Sequence, residues 1–564
     1  MPILLLLLAC DAVTDPLAEF DSEYTEIMVS LGAAERDNAR NVRNKEARQR
    51  RAAAEKARVT FFRKKRLQQA ISESRASALG TPERIKGEAY WLESLQYSSW
   101  TGDEKTEETR LLGRLEEESS GEVSWSSPDG LTTVTLDRGW DDISESAPTL
   151  DEATRMALYG EHIEHQLQVL DDDFQALITL RNSVAVRAGF SNYWELSLAT
   201  NGLKPAQVES FLDKLKPIVE PINAAALQAV QEAAAETGLT VTPSNLPTLR
   251  RAAGLISLGD EANNYFDADL AEERIVTAFQ DMGLPASGWQ IHTEPRRYAR
   301  PGAYGFPIRP PDNVAIVISQ DRRWSTWQYE ALAHEGGHAI WWQLLPASQA
   351  ASPALWSPPA PWLEGFAGLF ERILYEPSFT ERYVPELPAA LREPFQNQRA
   401  RNVAAQITDG IVDTLVEKRL YENPEDLVAL TRYAAELRAE LTGLPVPGTN
   451  ERGLTFDTAL LSSLTWNYPG YSQNFLYAYA TEATLFEGIV ASVGEPVANS
   501  KVGPHLQENL IQADPGTPMP VRIRKMLPDA SQTDALKRYL EVALTPPAPP
   551  AQPAGEADTP PAAE

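Results

Sequence analysis

Apolar residues recur at helical spacing along most of this chain, and prolines and glycines cut the pattern into segments. The clearest segment begins at Ser325, where Gln328 three residues on makes a capping-box pair. From Thr326 to Leu345 it carries no proline, its glycines are the adjacent Gly336 and Gly337, and Pro346 ends it. Trp327, Ala331, His334, His338, Trp341 and Leu345 share one face. A second helix is predicted from Pro361, a residue suited to a first turn. It runs through Glu371 up to Pro377, with Glu364, Gly368 and Glu371 on one stripe. Pro346 to Pro361 is the proline-rich loop between the two. Leu180 to Ala185 reads as an amphipathic helix, with a turn at Gly189 to Tyr193. Arg300 to Phe306 reads as a Gly/Pro loop feeding a buried strand at Asp312 to Ile318. Val123–Trp125 and Leu131–Leu136 flank Pro128-Asp129-Gly130, a hairpin signal. That hairpin sits in a stretch from Gly102 to Asp151 that is otherwise acidic and loop-like. Glu35 to Gln69, rich in Arg, Lys and Ala, reads as a highly charged helix. These elements predict a mainly α fold with a small β-sheet near the site.

Composition narrows the class. A chain of 564 residues with 43% apolar content buries one large core or two fused ones. The net charge of −28 makes nucleic acid a poor partner. No apolar run reaches about 20 residues, so no spanning helix is expected.

The chemistry lies in His334-Glu335-Gly336-Gly337-His338. Histidines at i and i+4 bring two imidazoles onto one metal, and the glutamate between them suits a general base on metal-bound water. The chain has only six histidines, which makes a chance pairing of this form rare. A third histidine six residues on is absent, because position 344 is Leu344. The third ligand is therefore expected to be a carboxylate from a later helix, and Glu364 is the candidate. A glutamate in an otherwise apolar helix is costly unless paired or metal-bound. One Zn2+ per chain is expected, held by His334, His338 and Glu364. Gly336 and Gly337 would let another backbone pass close to it.

HEGGH, followed by Leu363-Glu364-Gly365-Phe366-Ala367, resembles the gluzincin peptidases of the angiotensin-converting-enzyme and thimet-oligopeptidase type. The resemblance implies two helical lobes around a deep channel that admits short peptides and excludes folded proteins. Glu371 matches a second glutamate of the oligopeptidase branch and is expected to orient His334 or His338. Gly368 stands where the converting enzymes carry an acidic residue. Ala303, in Arg300–Phe306, would line the cleft and pair with substrate backbone. The segment Tyr468 to Tyr479 resembles one that closes the catalytic site and supplies a hydroxyl to the oxyanion. Tyr471 is the candidate, with Tyr468 and Tyr477 as alternatives, and one register puts Phe475 there instead. Tyr468 is also a candidate substrate contact. No histidine lies between His338 and His505, so a helper histidine is missing.

The implied function is zinc-dependent hydrolysis of short unfolded peptides, as a dipeptidyl carboxypeptidase or an oligopeptidase. The competing reading is a catalytically degenerate zinc- or peptide-binding lipoprotein. Ile3 to Cys10 ends in the only cysteine, and Leu7-Leu8-Ala9-Cys10 resembles a bacterial lipobox. Lipidation at Cys10 would anchor the protein in a bacterial envelope, its only membrane link. The expected divisions are a signal segment 1–10, a charged helical arm 11–75, a peptidase domain 76–545 and a disordered Pro/Ala-rich tail 546–564. Within the domain lie the zinc site at 325–375 and the tyrosine-rich segment at 466–480. A monomer is expected. His162 and His165 are expected on an exposed polar helix face.

Overall fold

A computed structural model describes residues 15–119, 124–126, 133–135, 150–255, 261–295, 298–320, 325–461, 463–513, 517–528 and 531–544. Cys10 with its apolar run, the turn at Pro128–Gly130 and the 546–564 tail lie outside these residues. The fold is mainly α-helical with a small three-stranded sheet. Among the described residues no helix is long and apolar enough to cross a membrane.

The basic N-terminal stretch is three helices rather than one: α1 (Ala18–Arg40), α2 (Lys45–Phe62) and α3 (Lys65–Ala76). Asn44 forces the first break, because its side chain accepts from the Ala47 N–H and starts α2. Many of the cations are paired with carboxylates of the same chain. Arg36 and Arg50 meet Asp37, Arg40 meets Glu294, Arg58 meets Glu93 and Lys64 meets Glu23. Gly102–Ser119, expected as loop, is also a helix. Thr101 and Glu104 exchange hydrogen bonds at its start, and Leu111 and Leu115 are buried at helical spacing. The two predicted strands do pair, as β1 (Ser124–Ser126) antiparallel to β2 (Thr133–Thr135). Leu180–Ala185 lies in α4 (Asp172–Arg187).

The sheet holds β3 (Gln290–Pro295), β4 (Ala303–Arg309) and β5 (Asn313–Gln320) in the order β3-β5-β4. The Gly/Pro segment is thus half strand: Ala303–Phe306 pairs antiparallel with β5. Its two faces are covered by different helices. Val314, Ile316 and Ile318 join the main core, on the side of α5 (Ser325–Gln343). Phe306, Ile308, Ala315 and Val317 pack with Val29 and Ala39 of α1. β4 is one of the sheet's two edges, the one beside the helix that carries His334 and His338, and among the described residues no further strand pairs with it.

The second site helix, α6 (Ala360–Leu374), crosses α5 at very short range. A Cβ on Gly337 would lie 2.7 Å from the Ala367 Cα, so only glycine fits. Gly336 faces the rings of Phe279 and Trp289 instead. Behind α6 run α7 (Ala389–Glu422) and α8 (Ser472–Val493), and Gly365 of α6 admits Thr481 of α8 in the same way. His162 and His165 are buried, not exposed. Their helix turns that face toward Phe456, whose ring meets His162 edge-on. Arg452 ties the same loop to the helix end through the Leu167 and Leu170 carbonyls.

Candidate metal centre

Helices α5 and α6 bring His334, His338 and Glu364 together. One ligand atom from each lies within 4.8 Å of the other two. His334 Nε2 is 3.2 Å and His338 Nε2 is 3.7 Å from Glu364 Oε2. Tetrahedral zinc with bonds of about 2.0–2.2 Å sets its ligand atoms about 3.3–3.6 Å apart. The donor set and its spacing fit that ion. Among the described residues this is the one group of three such side chains arranged to hold a metal.

The surrounding charges shift two of these three groups, Glu364 and His334. Burial pushes the Glu364 carboxyl upward, but the charges and hydrogen bonds of His338 and His334 outweigh it and hold the group well below the usual range. Burial opposes charge on His334, yet its hydrogen bonds with Glu364 and Glu371 raise it well above an ordinary histidine. Of the two histidines Glu371 meets His334, with Oε2 3.3 Å from Nδ1, the contact an orienting carboxylate would make. Arg399 of α7 grips Glu371 at 2.8 Å. Against the upward pull of burial, that guanidinium keeps Glu371 below its ordinary range. His338 stacks on Trp342, with centroids 5.7 Å apart.

Glu335 is buried on the side facing β4, where a Cβ on Gly305 would come within 3.0 Å of its Oε2. Burial raises its pKa, countered by His338, His334 and the Gly305 backbone amide. The register of β4 sets its free edge. The Ser319 N–H donates to the Gly302 carbonyl at 3.0 Å. By alternation, Ala303 and Gly305 point their peptide groups away from β5.

Of the three tyrosine candidates, Tyr471 reaches the centre, where its hydroxyl donates to Glu364 Oε1 at 2.7 Å. Burial, and then the Glu364 charge, push that hydroxyl well above its usual pKa. Phe475 lies against the Tyr471 ring, 5.5 Å between centroids. Tyr468 is part-exposed, accepts from Arg300 at 2.7 Å and touches the Tyr471 ring. Tyr477 points elsewhere, stacked on Phe211 with its hydroxyl on the Gln207 carbonyl.

Arg399 and Glu482 were missed by sequence reasoning. Glu482, almost fully buried on α8, sits where a Cβ on Gly368 would fall, 2.8 Å from its Oε2. A carboxylate therefore lies beside position 368, although residue 368 supplies none. The small Gly365 and Gly368 of α6 were the available signal that another helix approaches there. No family model matches this chain, and a search of curated proteins finds no match either.

Proposed function

We propose that the protein is a zinc-dependent peptidase acting on short, unfolded peptides, in the manner of the dipeptidyl carboxypeptidases or oligopeptidases it resembles. The observation that carries this reading is the convergence of His334, His338 and Glu364 with Glu335, next to the free edge of β4. Two helical lobes flanking a channel, a monomeric state and an envelope anchor at Cys10 belong to the same reading.

Zinc held by the three ligands would act as a Lewis acid and make a water nucleophilic near neutral pH. Glu335 takes the proton from that water and passes it to the leaving amine. A carboxyl raised by burial, as here, is closer to the pKa such shuttling needs. The outward peptide groups of Ala303 and the Gly305 carbonyl pair with the substrate backbone and align the scissile bond, while the Gly305 N–H stays on Glu335. Tyr471 turns its hydroxyl from Glu364 to the oxyanion as charge develops. Glu371 holds the His334 ring in one orientation.

The test is metal analysis together with cleavage of a mixed peptide library, beside Glu335→Gln. The expected result is one zinc per chain in both proteins, with cleavage lower by at least about 100-fold in the variant. Product lengths separate dipeptide release from internal cutting. Zinc without cleavage in the wild type would leave a binding protein and sink the catalytic reading. Failure to take up zinc would sink the metal site itself.

A further inference from the structure

The segment leading into Tyr471 is held by buried Arg181 and Glu417 and by part-buried Ser197, all distant from it in the chain. Arg181, almost fully buried on α4 and paired with Glu108 at 2.9 Å, donates to the Trp466 carbonyl. Ser197 donates to the Pro469 carbonyl at 2.6 Å. Glu417 of α7, 3% exposed, accepts the Gly470 N–H. Gly470 has φ of +67°, and a Cβ there would lie 2.6 Å from Ser197. The turn is therefore closed on one side by Ser197 and on the other by Glu417. A buried carboxyl is costly without a partner, and burial raises this one to about 8. Its partner is the amide immediately before Tyr471.

We propose that Glu417 is a positioning residue: through the Gly470 N–H it sets the backbone from which the Tyr471 hydroxyl reaches Glu364. The kinetic consequence rests on the peptidase reading; the placement of Tyr471 does not. Removing the acceptor leaves the Gly470 N–H unpaired in the interior, and the turn relaxes. A displacement near 1 Å breaks a 2.7 Å hydrogen bond and costs about 10- to 100-fold when that hydroxyl serves the transition state.

The experiment uses the full zinc-loaded chain. Glu417→Ala is expected to lower kcat by about 10-fold or more with KM and zinc content unchanged. Glu417→Gln, whose amide oxygen still accepts from Gly470, restores most of it. In a Tyr471→Phe background, Glu417→Ala should cost less than about twofold, because the two act as one unit. Equal losses in both backgrounds would overturn the proposal. A second readout is independent of catalysis: the 19F resonance of 3-fluorotyrosine placed at position 471 alone. It should move in Glu417→Ala and stay near its wild-type position in Glu417→Gln. An unmoved resonance in Glu417→Ala overturns the proposal, even if the wild type hydrolyses nothing. Should Glu417→Ala not fold, Glu417→Met fills similar volume without an oxygen acceptor and carries the same expectations.

Discussion

Gly337 and Gly160 both lie inside helices, yet substituting them should have opposite effects. Alanine at either position gains about 1 kcal/mol of helix propensity. At Gly160 the new Cβ meets nothing within 4 Å, so Gly160→Ala should stabilise by about 0.5–1 kcal/mol. At Gly337 it would press on the Ala367 backbone at 2.7 Å, where nothing flexible gives way. Gly337→Ala should lose about 1–3 kcal/mol net. Denaturant midpoints measure both, and a wild-type midpoint for Gly337→Ala would contradict the close helix crossing. At this scale much of the site could be read beforehand. His334, Glu335 and His338 declare themselves by spacing and Glu364 by its cost in an apolar helix, whereas Glu371 is singled out only through the family resemblance. Tyr471 could not be told from Tyr468 or Tyr477, because aromatic spacing does not say which ring turns inward. Arg399 carries no local signal, being one of many charged residues in a long helix, whereas Glu482 stands in an apolar run and its cost there went unread.

Helix α7 shows what an element contributes that its own residues do not announce. It delivers Arg399 to Glu371 and, five turns on, Glu417 to the tyrosine turn. Burial, opposed by the Gly470 amide, raises Glu417 to about 8 against an ordinary 4.5. Between these two values the folded chain holds a proton that the unfolded chain releases. Stability linked to this group is therefore full below pH 4.5 and is lost as pH rises through about 8. Glu417→Gln should flatten that decline by a few kcal/mol (about 1.4 per pKa unit). Denaturant unfolding at pH 5 and pH 8, compared between wild type and variant, reads the difference directly. Parallel curves would show that the carboxyl is not held neutral. Other element boundaries were legible but passed over. Thr101 and Glu104 form a capping box before an acidic helix, and Asn44 is an N-cap inside the basic stretch.

At the scale of the whole molecule, the N-terminal helices are part of the core. Phe20, Tyr24, Phe61 and Phe62 belong to the same buried cluster as the residues of α5 and α6, and α1 covers one face of the sheet whose other face backs the helix of His334 and His338. A chain shortened to begin at Lys45 would expose Phe306, Ile308, Ala315 and Val317 together. Exposed apolar patches of this kind drive association. The shortened protein should aggregate on size exclusion and lose cooperative unfolding. A monomeric, cooperatively folding product would show that α1 only decorates the fold.

By itself the sequence determined the helical class, the two site helices and the candidate ligands, because helix period and metal-ligand spacing are local properties written within a few turns. Tertiary structure decided which tyrosine meets Glu364, which histidine takes Glu371, and that His162 and His165 are buried. It also decided that Ala303 sits on a free strand edge. Each of these depends on segments tens to hundreds of residues apart coming into contact, and a side chain's partner across such a distance is set by packing rather than by its neighbours in the chain.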